Sequence, residues 1–452
     1  MLPSLLKSAI GALPPGRGRT PRGLAAAAAA AAVLWYPPGA AAQQAAPPSL
    51  PPLEAEVGVG YDFFSHSYSI LAVDTTSTVS EGSTRLDLRY TPIRRGEQVL
   101  GFGDRLYLSG EYLYNVLSAS WRDGMGMGWF WDTEARWETK RFGEDGLALN
   151  NDHDALLGSL RAGWRGSGLS SVRFRLAGEY FDYDRKSSYF YDTRTLDGTL
   201  RFRAGSWTGP FGGIDLGGRR RTVPDSTLLE HTEARLDLTG GWAFDSGGEV
   251  ELILFGEQRD YDRESARPDR RWTGGRLRGR LDPLGRWGSW LRARYDRRDY
   301  SRQTLVYNDD SELRIAAGPA WRPGPSWEIR LGAGMAWHRS ETVTDTTYVD
   351  LFGVTRLVDS WSQPFLDLEV SLFAEGGGWA LLDLEAGDRR YREDTEFDSD
   401  YRYVDLTATA EMPLGRGLAL QTLVSYTPER HREPEDNSVT NFTSLDLVWR
   451  FR

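Results

Sequence analysis

Apolar and charged residues alternate one by one over most of this chain. From Val172 to Tyr180, Val172, Phe174, Leu176 and Tyr180 fall on one parity, and Arg173, Arg175 and Glu179 on the other. The same split sets Leu196, Leu200, Phe202 and Ala204 against Asp197, Thr199, Arg201 and Arg203. It recurs in Ala234 to Trp242, Trp327 to Trp337 and Leu366 to Leu372. Side chains of a strand point to opposite faces with period two, so each segment is a strand with one apolar and one charged face. Gly- or Pro-bearing turns beside a Trp separate these segments, and the rising strands end near Tyr183, Arg221, Tyr261, Asp299, His338, Tyr391 and Arg430. The usual spacing of about 39 residues fits consecutive hairpins of long strands.

A soluble antiparallel sandwich would also alternate, so the ends of the strands have to decide. Trp164, Trp207, Trp242, Trp287, Trp290, Trp321, Trp327 and Trp379 lie beside the tight turns, whereas Tyr180, Tyr183, Tyr261, Tyr295, Tyr300, Tyr391 and Tyr401 lie at the opposite ends. Two aromatic girdles flanking an apolar band suit the two interfaces of a membrane. Turns such as Gly166 to Gly168 and Gly376 to Gly378 are tight, while Glu341 to Asp359 and Arg392 to Ser399 are long and polar. The expected fold is therefore all-β, a transmembrane antiparallel up-and-down β-barrel with its apolar face outward. Fifteen strands can be counted back from the C-terminus to Ala155, and four more from Glu54 to Lys140. An even number is required if both ends lie on one side, so about eighteen strands are expected, within sixteen to twenty. The pattern places Leu236, Leu238, Ile329 and Leu368 toward lipid and Arg235, Asp237, Arg330 and Asp367 toward the lumen.

Lys7, Arg17, Arg19 and Arg22 precede an apolar run from Leu24 to Trp35, and Ala40 to Ala42 follow it. This order reads as a secretory signal peptide over 1–42, followed by an Ala/Pro-rich linker over 43–53 and the barrel over 54–452. No later run reaches the roughly 18 apolar residues of a spanning helix. A closed barrel then remains as the way to satisfy every backbone polar group in lipid. The chain has no Cys, which removes thiolate metal sites and disulfides. Without the signal its formal charge moves from -10 to about -14, which argues against nucleic acid as a partner.

At the C-terminus Leu445, Leu447, Trp449 and Phe451 alternate with Asp446, Val448 and Arg450. This resembles the terminal-strand assembly signal of Gram-negative outer-membrane β-barrel proteins, although that pattern usually ends on the aromatic residue and here Arg452 follows. With the signal peptide and the hairpin series, the resemblance spans nearly the whole mature chain. It implies export through the periplasm to the cell outer membrane, with the barrel-assembly machinery, outer-membrane lipid and lipopolysaccharide as partners. The superfamily holds porins, transporters, enzymes and secretion channels, so function has to come from the inward face.

That face predicts a basic wall of Arg173, Arg175, Arg201, Arg203, Arg219, Arg221, Arg276, Arg278, Arg280, Arg292, Arg294, Arg314 and Arg330. Asp367, Glu369, Asp383, Glu385, Asp405 and Glu411 predict an acidic wall facing it across the closed barrel. Such walls would create a transverse field that orients small polar solutes, or would simply pair and keep a wet lumen soluble. His66, His231, His338 and His431 fall at strand ends away from the tight turns, and no nucleophile, base and orienting group form a motif, so no catalytic residue, cofactor site or metal site is expected. No plug, passenger domain or helical repeat is expected before the barrel. A porin-like channel for small polar or anionic solutes is the first expectation. A non-conducting barrel with a structural, adhesion or envelope-assembly role is the alternative. The segment Glu341 to Asp359 mixes Tyr348, Leu351 and Phe352 with Thr and Asp, and could constrict the lumen.

Overall fold

The computed structural model describes residues 53–451 apart from 71–72, 96, 125, 144–151, 185–190, 225, 263–266, 283–284, 303–306, 341–359, 393–399 and 433–435. The proposed signal peptide, most of the linker, the segment Glu341 to Asp359 and Arg452 lie outside the described residues. The first half of the barrel holds β1 (Leu53–Ile70), β2 (Val73–Arg95), β3 (Gln98–Ser109), β4 (Tyr112–Asp123), β5 (Gly128–Phe142), β6 (His153–Arg165), β7 (Ser171–Tyr183), β8 (Thr193–Gly205), β9 (Gly209–Thr222) and β10 (His231–Ala243). The second holds β11 (Glu249–Tyr261), β12 (Arg270–Leu281), β13 (Trp287–Tyr300), β14 (Asp310–Trp321), β15 (Trp327–Ser340), β16 (Trp361–Phe373), β17 (Trp379–Tyr391), β18 (Tyr401–Gly415), β19 (Leu418–His431) and β20 (Ser438–Phe451).

Each strand pairs antiparallel with its neighbours in sequence, and β1 pairs with β20 from Ala55 opposite Phe451 to Tyr68 opposite Ser438. Closure removes both sheet edges, which is what a bilayer demands of a strand-built span. The barrel has twenty strands, two more than the central expectation and inside its range. The fifteen strands from β6 onward agree with the sequence count; the extra strand lies before Lys140, where five are found and four were expected. What hid it is the two-residue turn between β3 and β4, tight at the end of the barrel where the later loops are long. Ser109 makes that turn possible by accepting, through Oγ, the amide protons of Glu111 and Tyr112 at 3.3 and 3.2 Å.

Connections at the end that carries Leu53 and Phe451 are at most five residues long. Two of them repeat one turn. Gly247 and Gly377 take φ of 90° and 86°, open to glycine at little cost, and their amides donate back to the carbonyls of Phe244 and Ala374. At the other end an acidic or polar residue ahead of each strand that begins there, from β6 onward, stitches the rim. The carboxylates of Asp192, Asp269, Asp309 and Asp400 accept from the backbone N–H of Tyr183, Tyr261, Tyr300 and Tyr391 at 3.0, 2.7, 2.7 and 2.7 Å. The carbonyls of Asp269 and Asp400 accept in turn from Ser301 and Arg432, one hairpin further on. A hydrogen bond to a charged group contributes about 1.5 to 3 kcal/mol. Asp400→Ala is therefore expected to lower unfolding free energy by about 1.5 kcal/mol, the low end because the rim is partly wet, as read by denaturant titration from lipid vesicles. A loss indistinguishable from that of an exposed loop substitution would show the stitch contributes nothing.

Ion pairs that skip strands identify the lumen face. Arg292 of β13 reaches Glu369 of β16 at 2.9 Å, and Arg314 of β14 pairs with Glu385 of β17. Away from the rims, side chains converge across intervening strands on the concave side of a barrel. By register with these residues, Arg235, Asp237, Arg330 and Asp367 face inward, and Leu236, Leu238, Ile329 and Leu368 face outward. The closing seam has its own inward chain, in which Arg450 bridges Glu411 at 2.7 Å and Glu56 at 3.1 Å, and Glu56 also pairs with Arg85.

The aromatic ends differ from the sequence expectation, chiefly at the end away from the short turns. Trp164, Trp242, Trp287, Trp321 and Trp327 do face outward beside the short turns, and Trp287 stacks on Trp321 at 5.9 Å. Trp290 and Trp379 depart from the girdle by turning inward, and Trp290 is buried. Tyr183, Tyr261, Tyr300, Tyr391 and Tyr401 also face inward, sharing a face with the lumen arginines, while Tyr180 and Tyr295 face outward. Most of the expected tyrosine girdle is thus a lining of the barrel mouth.

Candidate functional site

Between β12 and β17 the inward face is built from rows of like charge. Arg276, Arg294 and Arg314 stand directly opposite one another on β12, β13 and β14, and Arg278 stands opposite Arg292. Asp367, Glu385 and Asp405 form the matching acidic row on β16, β17 and β18, with Glu369 opposite Asp383 beside it. The two sectors meet rather than only facing each other. Arg292 and Arg330 both reach Glu369, at 2.9 and 2.8 Å, and Arg314 pairs with Glu385. Tyr403 donates to Glu385 at 2.5 Å, so that carboxylate is held from two sides.

Beneath the charges lies an aromatic floor. β15 carries Gly332 and Gly334 inward, and the rings of Trp290 and Phe365 lie where their Cβ atoms would be. Trp290, Phe365, Ala316, Ala320 and Ala336 are all buried in one cluster. The Arg314 guanidinium covers Phe365 at 4.2 Å and that of Arg292 covers Trp290 at 5.1 Å. Such cation–π contacts hold a planar cation in place while leaving its edge free for a carboxylate. Above this floor is a cavity of about 370 Å³ that touches Arg276, Arg278, Arg292, Asp367 and Asp383. Among the described residues Arg276, Arg278, Asp367 and Asp383 make no side-chain hydrogen bond or ion pair, and Arg276 rests on Phe255 at 5.2 Å.

The rest of the expected basic wall is more heavily neutralised. Asp197 takes Arg175 and Arg219 at 3.6 and 3.2 Å, and Asp215 takes Arg201 and Arg203 at 3.0 and 3.2 Å. Within the β12 to β17 face itself, Arg280 pairs with Asp282 at 2.5 Å and Arg294 with Asp296. Arg173 lies 5.9 Å from the Phe130 ring. Of the acidic set, Asp405 accepts from Thr427 at 3.1 Å, and Glu411 belongs to the closing seam. A second cavity, about 620 Å³, lies nearer the rim between β5 and β11 and is lined by Arg136, Arg175, Arg219, Arg221 and Arg259 among others. The buried Nε of Arg221 has no hydrogen-bond partner there. The aromatic floor was missed in the sequence, whereas Asp197 was placed on the inward face there without its partners. The signal for the floor was a bulky ring on an inward parity, Trp290 among arginines and Phe365 among acids, with glycines on the strand between.

All five histidines lie at the stitched end. His231 packs on Tyr261 at 5.3 Å, His338 on Trp361 at 5.4 Å and His431 on Tyr401 at 4.7 Å. His153 packs on Tyr183 at 5.4 Å, and His66 shares a 2.9 Å hydrogen bond with Thr440. They are spread over five strands around the mouth rather than gathered into one constellation.

No protein-family model and no curated protein matches the sequence. Among solved structures the chain is similar to the alcaligin outer-membrane receptor FauA of Bordetella pertussis, with TM-score 0.50, 9% identity, and coverage of 87% of this chain and 76% of that one. It is similar also to the ferric enterobactin receptor PfeA of Pseudomonas aeruginosa, with TM-score 0.50, 9% identity, and coverage of 87% and 80%. OccAB4 of Acinetobacter baumannii is covered over 98% of its length by 88% of this chain, at 9% identity and TM-score 0.42. Identity this low speaks to architecture alone. The chain has the fold of the Gram-negative outer-membrane β-barrels.

Proposed function

We propose that this protein is an outer-membrane channel that passes small polar and anionic solutes passively, sorting them by charge along the lumen face of β12 to β17. The carrying observation is the segregation of like charges in register, with Arg276, Arg294 and Arg314 in one row and Asp367, Glu385 and Asp405 in the other. Like charges directly opposite across strands are destabilising, and interleaving the two signs would relieve them. Sequences break such local rules chiefly where function needs them broken. Two segregated rows produce a transverse field, and the low-dielectric wall behind them focuses it into the lumen. A twenty-stranded barrel is wide enough to leave an aqueous path, and no step in this reading needs a catalytic group, cofactor or metal. On the outward face of β20, Leu445, Leu447, Trp449 and Phe451 would serve as the assembly signal, with Trp449 packed on Phe451 at 4.5 Å.

The test is single-channel recording in planar bilayers. Wild type should conduct and prefer anions in a salt gradient. Replacing Arg276, Arg278 and Arg280 together by Gln should reduce the anion-to-cation permeability ratio by about twofold or more, as a local potential change on the order of one kT implies. An unchanged ratio would move the selectivity element elsewhere. A folded, heat-modifiable barrel that conducts nothing would overturn the channel and leave the structural reading, in which the wall's ion pairs serve the barrel itself.

A further inference from the structure

The outward face ends differently at its two rims. At the short-turn rim it ends in tryptophan, and at the stitched rim it ends in arginine: Arg194, Arg220, Arg271, Arg297, Arg339, Arg390, Arg402 and Arg430 all point away from the lumen. These are not evenly spread. On β17 to β19, Arg402 and Arg430 stand directly opposite each other, and Arg390 lies on the adjoining strand. The neighbouring carboxylate, Asp388, is already taken by Arg390 at 2.7 Å. On β12 to β15 the outward arginines are separated instead. Asp299 opposes Arg271 but is taken by Arg297 at 2.8 Å, and Arg297 and Arg339 flank Ser311.

The group on β17 to β19 thus gathers three arginines around one acid, Asp388. Arg271, Arg339, Arg402 and Arg430 make no side-chain hydrogen bond or ion pair among the described residues. By contrast Arg220 is closed off by Asp262 at 2.5 to 2.6 Å, and this contact holds the Asp262 carboxyl below its usual range. Directly below the guanidinium groups the outward face becomes apolar, with Val404 and Tyr426 under the group on β17 to β19 and Tyr295 and Trp337 under the arginines of β12 to β15. Two arginines facing each other across a ladder repel unless an anion lies between them. Guanidinium forks suit phosphate oxygens, two donors to each phosphate. An anion that also offers acyl chains to the apolar surface just below matches both halves of the site.

We propose that the cluster Arg390/Arg402/Arg430, at the rim of longer connections that faces outward in such barrels, is a binding site for the phosphorylated headgroup of an outer-leaflet lipid. The proposal stands apart from the channel reading, because it concerns the lipid face and would hold for a barrel that conducts nothing.

The test uses full-length protein purified in uncharged detergent, with lipid binding followed by native mass spectrometry and by the temperature of heat modification. Diphosphorylated lipid A should bind and raise that temperature. Arg402→Gln with Arg430→Gln should weaken binding about tenfold without lowering the lipid-free unfolding temperature, since removing a repulsive pair costs the barrel nothing. Lysine at both positions should restore part of the affinity. Equal binding of fully dephosphorylated lipid A, or of the double Gln variant, would overturn the proposal. Displacement by inorganic pyrophosphate at concentrations comparable to the lipid would show a free-phosphate site and overturn it as well.

Discussion

Leu238→Arg is expected to cost about 2 to 4 kcal/mol of barrel stability, the penalty for an arginine on the lipid face near the bilayer midplane. Leu238 lies close to the middle of β10, between Ile214 of β9 and Leu254 of β11. All three face outward, so a guanidinium there has no partner within the apolar band and a long way to reach either interface. The adjacent inward position offers a control. Asp237 is paired with Arg235 at 2.6 Å on a wet face, and Asp237→Asn should cost less than about 1 kcal/mol because partly exposed pairs contribute little. Denaturant titration of the two variants from phospholipid vesicles compares them directly. Equal losses would mean the strand is turned the other way, which lipid-phase spin-label accessibility along Ala234 to Trp242 would confirm.

The alternation that places Leu238 was legible because a strand has only two faces and a bilayer forbids charge on one of them. A single parity choice therefore orients every residue from His231 to Ala243. Parity also contained information that sorting by strand end did not use. Tyr183 shares odd parity with Arg173 and Arg175, so it had to face the lumen if they did, and the same holds for Tyr300 with Arg292 and Arg294. Grouping tyrosines by strand end alone put them in a lipid girdle instead. The missed strand had a different cause: Gly110 and Glu111 make a two-residue turn whose partner, Ser109 Oγ, looks like any other serine in a sequence. The walls were legible as composition but not as pairing. Which arginine reaches which acid depends on strand stagger, and Arg292 meets Glu369 across 77 positions of sequence.

The aromatic floor lies under the sectors that this stagger brings together, and Phe365→Ala should expose how far it holds them. Phe365 is only 4% exposed, its ring lies against Gly334, and Arg314 covers its outer face at 4.2 Å. Removing a buried phenyl costs about 3 to 5 kcal/mol where the cavity stays empty. Here one side borders the cavity between β12 and β17, so water can refill part of the space, and about 3 kcal/mol is the expected loss. The cation–π contact disappears with the ring, freeing Arg314 to leave Glu385. The variant should therefore differ from Phe365→Leu in two ways at once. It should unfold at lower denaturant, and in the proposed channel its single-channel current should be noisier, because an unanchored guanidinium then moves within the lumen. A loss below about 1 kcal/mol would show that the ring merely lies on the wall, since burial against glycine and under a cation should not be that cheap to remove. In that case the geometry between β13 and β17 would have to be credited to the ion pairs alone.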